Sequence, residues 1–467
     1  MRPPRARLVS LVALLVAGGA SAQDSAEAGA PLGEVLFPVS CTDGGQRAFD
    51  QGLLLLHHMT YPLAREAFGR AAEIDPDCAM AHWGVAMTLF QPLWPTRPGP
   101  ADLQRGWAAV RRAEALALAT EHERLFVAAA AAFFDGPEAG DYWDRIGRWG
   151  RASEALSLAF PDDPEATVFY ALSLLATAPA VADAHERQDR AAALLLGVLG
   201  DYPLHPGASH YLLHANDTPG REHESPDVVR HYAAVAPDNP HALHMPTHIY
   251  TRLGEWEAVV EGNLRAADAA LRYPAGDEGQ YVWDEFPHAI EYLVYADLQR
   301  GDDDAAAVQI ERLRATPHLE PSSKTAFHLA SIPARYALER GAWDDAAALT
   351  PRPSDAIDWD RFPWPEAVTW FARGLGTARL GRLDGAVQAL DRLEALEGVA
   401  EEAGETLFAR QIRILRLGVA AWAAQARGEE ALAVEQMTQA ADLEASTPKP
   451  PVTPGPTLPA SELLGTS

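Results

Sequence analysis

Apolar residues recur along this chain at helical spacing almost from end to end, and nowhere with the strict alternation of a strand. Long Ala/Leu/Arg/Glu stretches such as RILRLGVAAWAAQARGEEALAVEQMTQA carry strong helix formers throughout. The helical runs are punctuated by glycine. IYTRLGEWEAV turns at Gly254, LQRGDDDAA at Gly301, ALERGAWDDAA at Gly341, WPEAVTWFARGLGTARLGRLDGAVQAL at Gly381, and the last series at Gly428. This pattern predicts helical hairpins over 45–445, with the register weakest between 90 and 150, where FQPLWPTRPGP reads as an irregular connection. A longer interruption, YPAGDEGQYVWDEF at 273–286, is aromatic and acidic; it reads as a loop insertion or as a cover for the neighbouring groove.

Residues 45–78 show why the spacing repeats. Gly52, Ala64 and Ala71 are small enough to let two helices approach closely, Phe68 fills the gap between them, and Pro76 ends the second helix. In this the chain resembles the tetratricopeptide repeat (TPR) family, whose unit is thirty-four residues long. The resemblance implies an all-α, right-handed superhelical solenoid of about nine hairpins. It also implies a concave groove, lined by positions 2, 5, 9 and 12 of each first helix, that takes a protein or peptide ligand. DPDCAMAHWG (75–84) and HALHMPTHIYTRLG (241–254) are similar to exported bacterial proteins of this family with no established activity, so no catalytic role comes with the likeness.

The ends differ from the body. MRPPRARLVSLVALLVAGGASA joins arginines to a short apolar run and an Ala-Ser-Ala site, the pattern of a secretory signal over 1–22. Residues 23–44 read as an extended lead-in, and the Pro-rich 446–467 as a disordered tail. No other apolar run is long enough to cross a membrane. These features predict a secreted, periplasmic protein without membrane insertion. In that oxidising setting Cys41 and Cys78 pair as a disulfide, worth about 3–4 kcal/mol by loop-closure entropy, or remain two buried thiols. The net charge of −27 over 467 residues argues against nucleic acid as a partner. It suits cationic ligands, although it also serves solubility.

Within this frame the histidines stand out. Eight of the sixteen lie between His205 and His248. Superposing Pro206 on Pro240, thirty-four residues on, puts His210 over His244 and His214 over His248. Each pair sits at i and i+4, one turn apart on a single helix face. Counted from the turn glycines, His241, His244 and His248 take groove positions 2, 5 and 9, and His210, His214 and Asp217 take 5, 9 and 12. His288, Glu291 and Tyr295 take 2, 5 and 9 of the next unit, and His328 takes 2 of the one after. Pro246 and Pro333 fall at position 7, which predicts helices that begin late, with His241 and His328 on the loops leading in; kinked helices are the alternative.

Neutral imidazole is a good ligand for zinc, copper and iron, and an i, i+4 pair is arranged for chelation. The candidate metal ligands are therefore His210, His214, His244 and His248, with His241, His288 and Glu291 further out. Asp217 is either a ligand or the acceptor that orients an imidazole. Asp217, Tyr295 and His328 complete the groove set. His205, His223 and His231 read as surface residues, and His57 and His58 as packing. The sequence contains no Gly-rich phosphate loop, no HExxH and no nucleophile elbow. Two functions fit: an exported scaffold whose His-lined groove binds a partner and a divalent transition metal, or a metal-dependent enzyme, oxidative or hydrolytic, built on the same cluster.

Overall fold

The computed structural model describes residues 31–465 apart from 95–96, 117, 137–140, 182, 277–278 and 448–453. The expected signal segment, 1–22, lies outside the described residues. The chain is an all-α array in which each helix packs on the next, and alternate helices such as Glu285–Gln299 and Ser323–Glu339 also pack on one another, the contact pattern of stacked hairpins. The first hairpin is Asp43–His57 against Tyr61–Ile74. Ala64, Phe68 and Ala71 are fully buried in it. A Cβ on Gly52 would stand 2.7 Å from the Phe68 ring, and one on Gly84 of the next helix 2.3 Å from it, so both glycines are needed to seat that ring. The turn at Gly254 takes φ +71°, a left-handed value that closes a helix C-terminus at little cost only for glycine.

The described part of the lead-in before the first helix, 31–42, forms no helix or strand and is packed on the array. Phe37 is buried among Phe49, Trp83 and Phe126, the Glu34 N–H donates to the Leu204 carbonyl, and Cys41 is bonded to Cys78. The 273–286 insertion forms a two-stranded ribbon, Pro274–Ala275 with Tyr281–Val282, before helix Glu285–Gln299 begins.

Three local expectations are corrected. His241 and His328 are not on loops. His241 lies in a helical turn, Pro240–His244, whose N-cap Asn239 accepts from Ala242 N–H, and the helix continues through Met245 as Pro246–Leu253. His328 sits well inside helix Ser323–Glu339, which accommodates Pro333. A proline removes one donor and kinks a helix that packing on both sides still holds. In the C-terminal segment, 454–465 is ordered against the array. Ala460 and Leu463 of helix Ala460–Gly465 are buried on the last hairpin, and Arg335 donates to the Gly455 and Pro456 carbonyls. An open array end leaves apolar surface that a short segment can cover, though six residues are too few to show a period.

The array curls far enough to bring its first helix, Asp43–His57, onto helix Pro206–Asn216. Gly207 makes this possible: a Cβ there would lie 2.4 Å from His57 Nδ1. Gly207→Val is expected to destabilise the protein by about 1–3 kcal/mol through overpacking, read as a lower midpoint of thermal unfolding.

Candidate metal centre

Helix Pro206–Asn216 carries His210 and His214, the kinked helix 240–253 carries His241, His244 and His248, and helix Glu285–Gln299 carries His288. The first helix of each of these neighbouring units turns the same face inward. Its imidazoles meet in two trios: His210 with His214 and His241, and His244 with His248 and His288. His210 Nε2 lies 3.1 Å from His214 Nε2 and 3.0 Å from His241 Nε2. His244 Nε2 lies 2.8 Å from His248 Nε2, and the His244 and His288 ring centroids are 4.4 Å apart. Zinc–nitrogen bonds of about 2.0–2.1 Å at tetrahedral angles require nitrogens about 3.3 Å apart, close to these separations.

The far side of each ring decides which nitrogen carries the proton. His244 Nδ1 is 2.7 Å from Asn263 Oδ1. The Asn263 amide is itself oriented, because its nitrogen donates to Thr247 Oγ1 and to the Val259 carbonyl. His248 Nδ1 donates to Asp217 Oδ2 at 2.9 Å, and Arg252 holds the other Asp217 oxygen. With both rings neutral their protons sit on Nδ1, which turns the two Nε2 atoms, 2.8 Å apart, toward one shared point. The same reasoning fixes His210, whose Nδ1 donates to the His57 carbonyl at 2.6 Å. For His288 it runs through a chain. Glu291 accepts from His328 Nδ1, so His328 Nε2 accepts from His288 Nδ1 at 3.1 Å, leaving the second His288 nitrogen for the trio.

A proton is a poor guest between these nitrogens. Burial, and then the neighbouring imidazoles, hold His210, His244 and His288 well below the ordinary histidine range. They are neutral at pH 7 and ready to bind a metal.

The structure redistributes the predicted residues. The four paired histidines do not form one cluster: they divide between the trios, and His241 and His288 complete them. Glu291 does not face a trio. It receives His328, Ser331 Oγ at 2.6 Å and Arg335 at 3.5 Å, so it orients His288 through His328. Asp217 orients His248. Tyr295 packs on Trp256 and under Arg335, away from the rings. His210 and His244 have no exposed surface, and His214 and His248 are partly exposed. Tyr232 stacks on His210, Tyr292 lies against His244 and His248, and Trp94, from the irregular 90–100 connection, closes on His241. The 273–286 insertion delivers Glu285, whose carboxylate is 3.3 Å from His241 Nδ1 and is also bound by Lys324.

A third group was missed. His205, expected at the surface, is buried with His57 around Glu165. His205 is the N-cap of its helix: its Nδ1 accepts from Ala208 N–H, so its Nε2–H points at Glu165 3.2 Å away. His57 Nε2 donates to the other Glu165 oxygen at 2.9 Å while Nδ1 meets Tyr211 OH at 3.1 Å. Both ring nitrogens facing Glu165 therefore carry protons, His57 hydrogen-bonded to the carboxylate and His205 in contact with its other oxygen. The repeat register held the signal, because superposing Pro206 on Pro240 sets His205 over the cap residue Asn239. His58 is also more than packing, spanning from the Leu32 carbonyl to Tyr232 OH. His223 and His231 are exposed, as expected.

No protein-family model matches the chain, and no curated protein does. Among solved structures it is similar to yeast Tom70, at 11% identity over 86% of this chain and 85% of that one, with a TM-score of 0.43. Human IFIT1, as a dimer with PPP-AAAA, matches at 12% identity over 86% and 73%, with a TM-score of 0.33. The Cut9–Hcn1 hetero-tetramer of the APC/C matches at 13% over 85% and 76%, also with a TM-score of 0.33. At these scores none of the three bears on what this chain binds.

Proposed function

We propose that this protein is an exported metal-binding repeat protein whose two histidine trios each hold a transition-metal ion. The observation that carries the reading is the 2.8 Å approach of His244 Nε2 to His248 Nε2, with both protons committed to the opposite side of the rings. Two neutral imidazole nitrogens turned toward one point are arranged to share a cation. Zinc, copper and iron all accept such imidazole donors. Export, inferred from the pattern of residues 1–22, agrees with the Cys41–Cys78 disulfide.

The test is elemental analysis of the full chain purified without a histidine tag, with two metal ions per chain expected. Metal-free protein that cannot be reloaded would overturn the reading. Asp217→Ala, which frees His248 to rotate, is expected to weaken binding at its trio about 10–100-fold in a chelator competition and to leave the other trio unchanged.

A scaffold role in binding a protein or peptide partner has separate support. A cleft of about 910 Å³, lined by Ile310, Leu319, Leu329, Ile332 and Tyr336 among others, contains none of the six trio histidines. Partner and metal would then occupy different places on the array. The enzymatic alternative requires a coordination position open to substrate. It is tested by assaying the metal-loaded protein for oxidation of phenolic substrates and hydrolysis of esters.

A further inference from the structure

We infer that the ion these trios are built for is copper in its monovalent state. The inference rests on the metal-binding reading above and adds the identity and charge of the ion. It follows from the donor set and the surrounding charges. All six donors are imidazoles; no carboxylate or thiolate among the described residues joins either trio. The carboxylates of the next shell are already matched by cations. Asp217, behind His248, is paired with Arg252; Glu285, behind His241, with Lys324; and Glu291, behind His328, with Arg335. Asp284 shares Lys324 at 2.8 Å and Glu339 shares Arg335 at 3.1 Å, so five carboxylates face three cations and two negative charges remain.

Two divalent ions would therefore bring four positive charges against two negative charges in excess, whereas two monovalent ions would match them. The cost of burying an ion rises with the square of its charge, so a monovalent ion escapes most of it. Zinc at three histidines also takes a fourth ligand, commonly a water whose ionisation supplies the missing charge. Here aromatic rings flank three of the donors. Tyr232 is parallel to His210 at 5.6 Å, Tyr292 is edge-on to His244 at 4.7 Å, and Trp94 lies 6.0 Å from His241. Monovalent copper is satisfied by three nitrogens in one plane, accepts imidazole readily and tolerates a dry, apolar surround.

The experiment titrates the stripped, untagged full chain with Cu(I) against a chromophoric Cu(I) chelator without oxygen, and in parallel with Zn(II). Two Cu(I) per chain are expected, retained against about a hundredfold excess of Zn(II), with an X-ray absorption spectrum showing three nitrogen donors around each copper. Zn(II) binding at two per chain with displacement of copper would overturn this inference and leave the metal reading standing. Failure of both metals to bind would overturn both. Arg252→Gln removes a cation beside Asp217 at a position 21% exposed, so the fold should tolerate it. The variant is expected to move the Zn(II)-to-Cu(I) preference toward zinc about tenfold, and an unchanged preference would overturn the charge argument.

Discussion

Replacing His244 and His248 together with alanine is expected to halve the metal content, from two ions per chain to one. His210, His214 and His241 would stay loaded, because no His244 or His248 atom belongs to that trio. The loss at the affected trio should exceed the about 10–100-fold expected for an outer partner such as Asp217, since two of three donors are gone. The pair is also the place where metal matters most for stability. There the His244 and His248 Nε2 atoms already approach to 2.8 Å. At a free metal concentration about a thousand times the dissociation constant, binding stabilises the native state by about 4 kcal/mol. Stripping the wild type should therefore lower its thermal midpoint, and stripping the double variant should lower it by less. Equal shifts in the two proteins would place the metal elsewhere.

Glu165→Gln is expected to destabilise the protein by about 3 kcal/mol and to flatten its acid sensitivity. Burial alone would raise the Glu165 carboxyl, yet the facing His57 and His205 outweigh it and bring it from 4.5 down to about 2. A carboxyl depressed on folding adds stability above its unfolded value, and that stability is lost as pH falls from about 4.5 toward 2. A glutamine offers one acceptor and one donor where two imidazole N–H groups point inward, so one contact becomes donor against donor. The measurement is the change in unfolding midpoint between pH 6 and pH 3.5, which should be smaller in the variant. The same slope in both proteins would show that Glu165 is not the titrating group. Because His210 donates to the His57 carbonyl, the variant should also loosen the trio around His210.

Much of this molecule could be read from residue spacing. Small residues at Gly52, Ala64 and Ala71 with Phe68 between them fix how two helices meet, and that is a local property that repeats. Glycine at the turns and histidine at i and i+4 are equally local, so the hairpins and the shared histidine face were visible in the linear chain. The Cys41–Cys78 pairing was accessible too, since only two cysteines exist.

What spacing left open was everything set by the curl of the array. Only tertiary packing brings His57 and Glu165, 108 residues apart, into contact with His205. Only packing divides the imidazoles into two trios and turns Glu291 toward His328 instead of the metal. Trp94 and Glu285 reach the site from segments without periodicity, which no repeat register could index. The physical reason is that periodicity determines which face of a helix a side chain occupies. The partner across that face depends on how far successive hairpins rotate, a quantity summed over many contacts and written in no single motif.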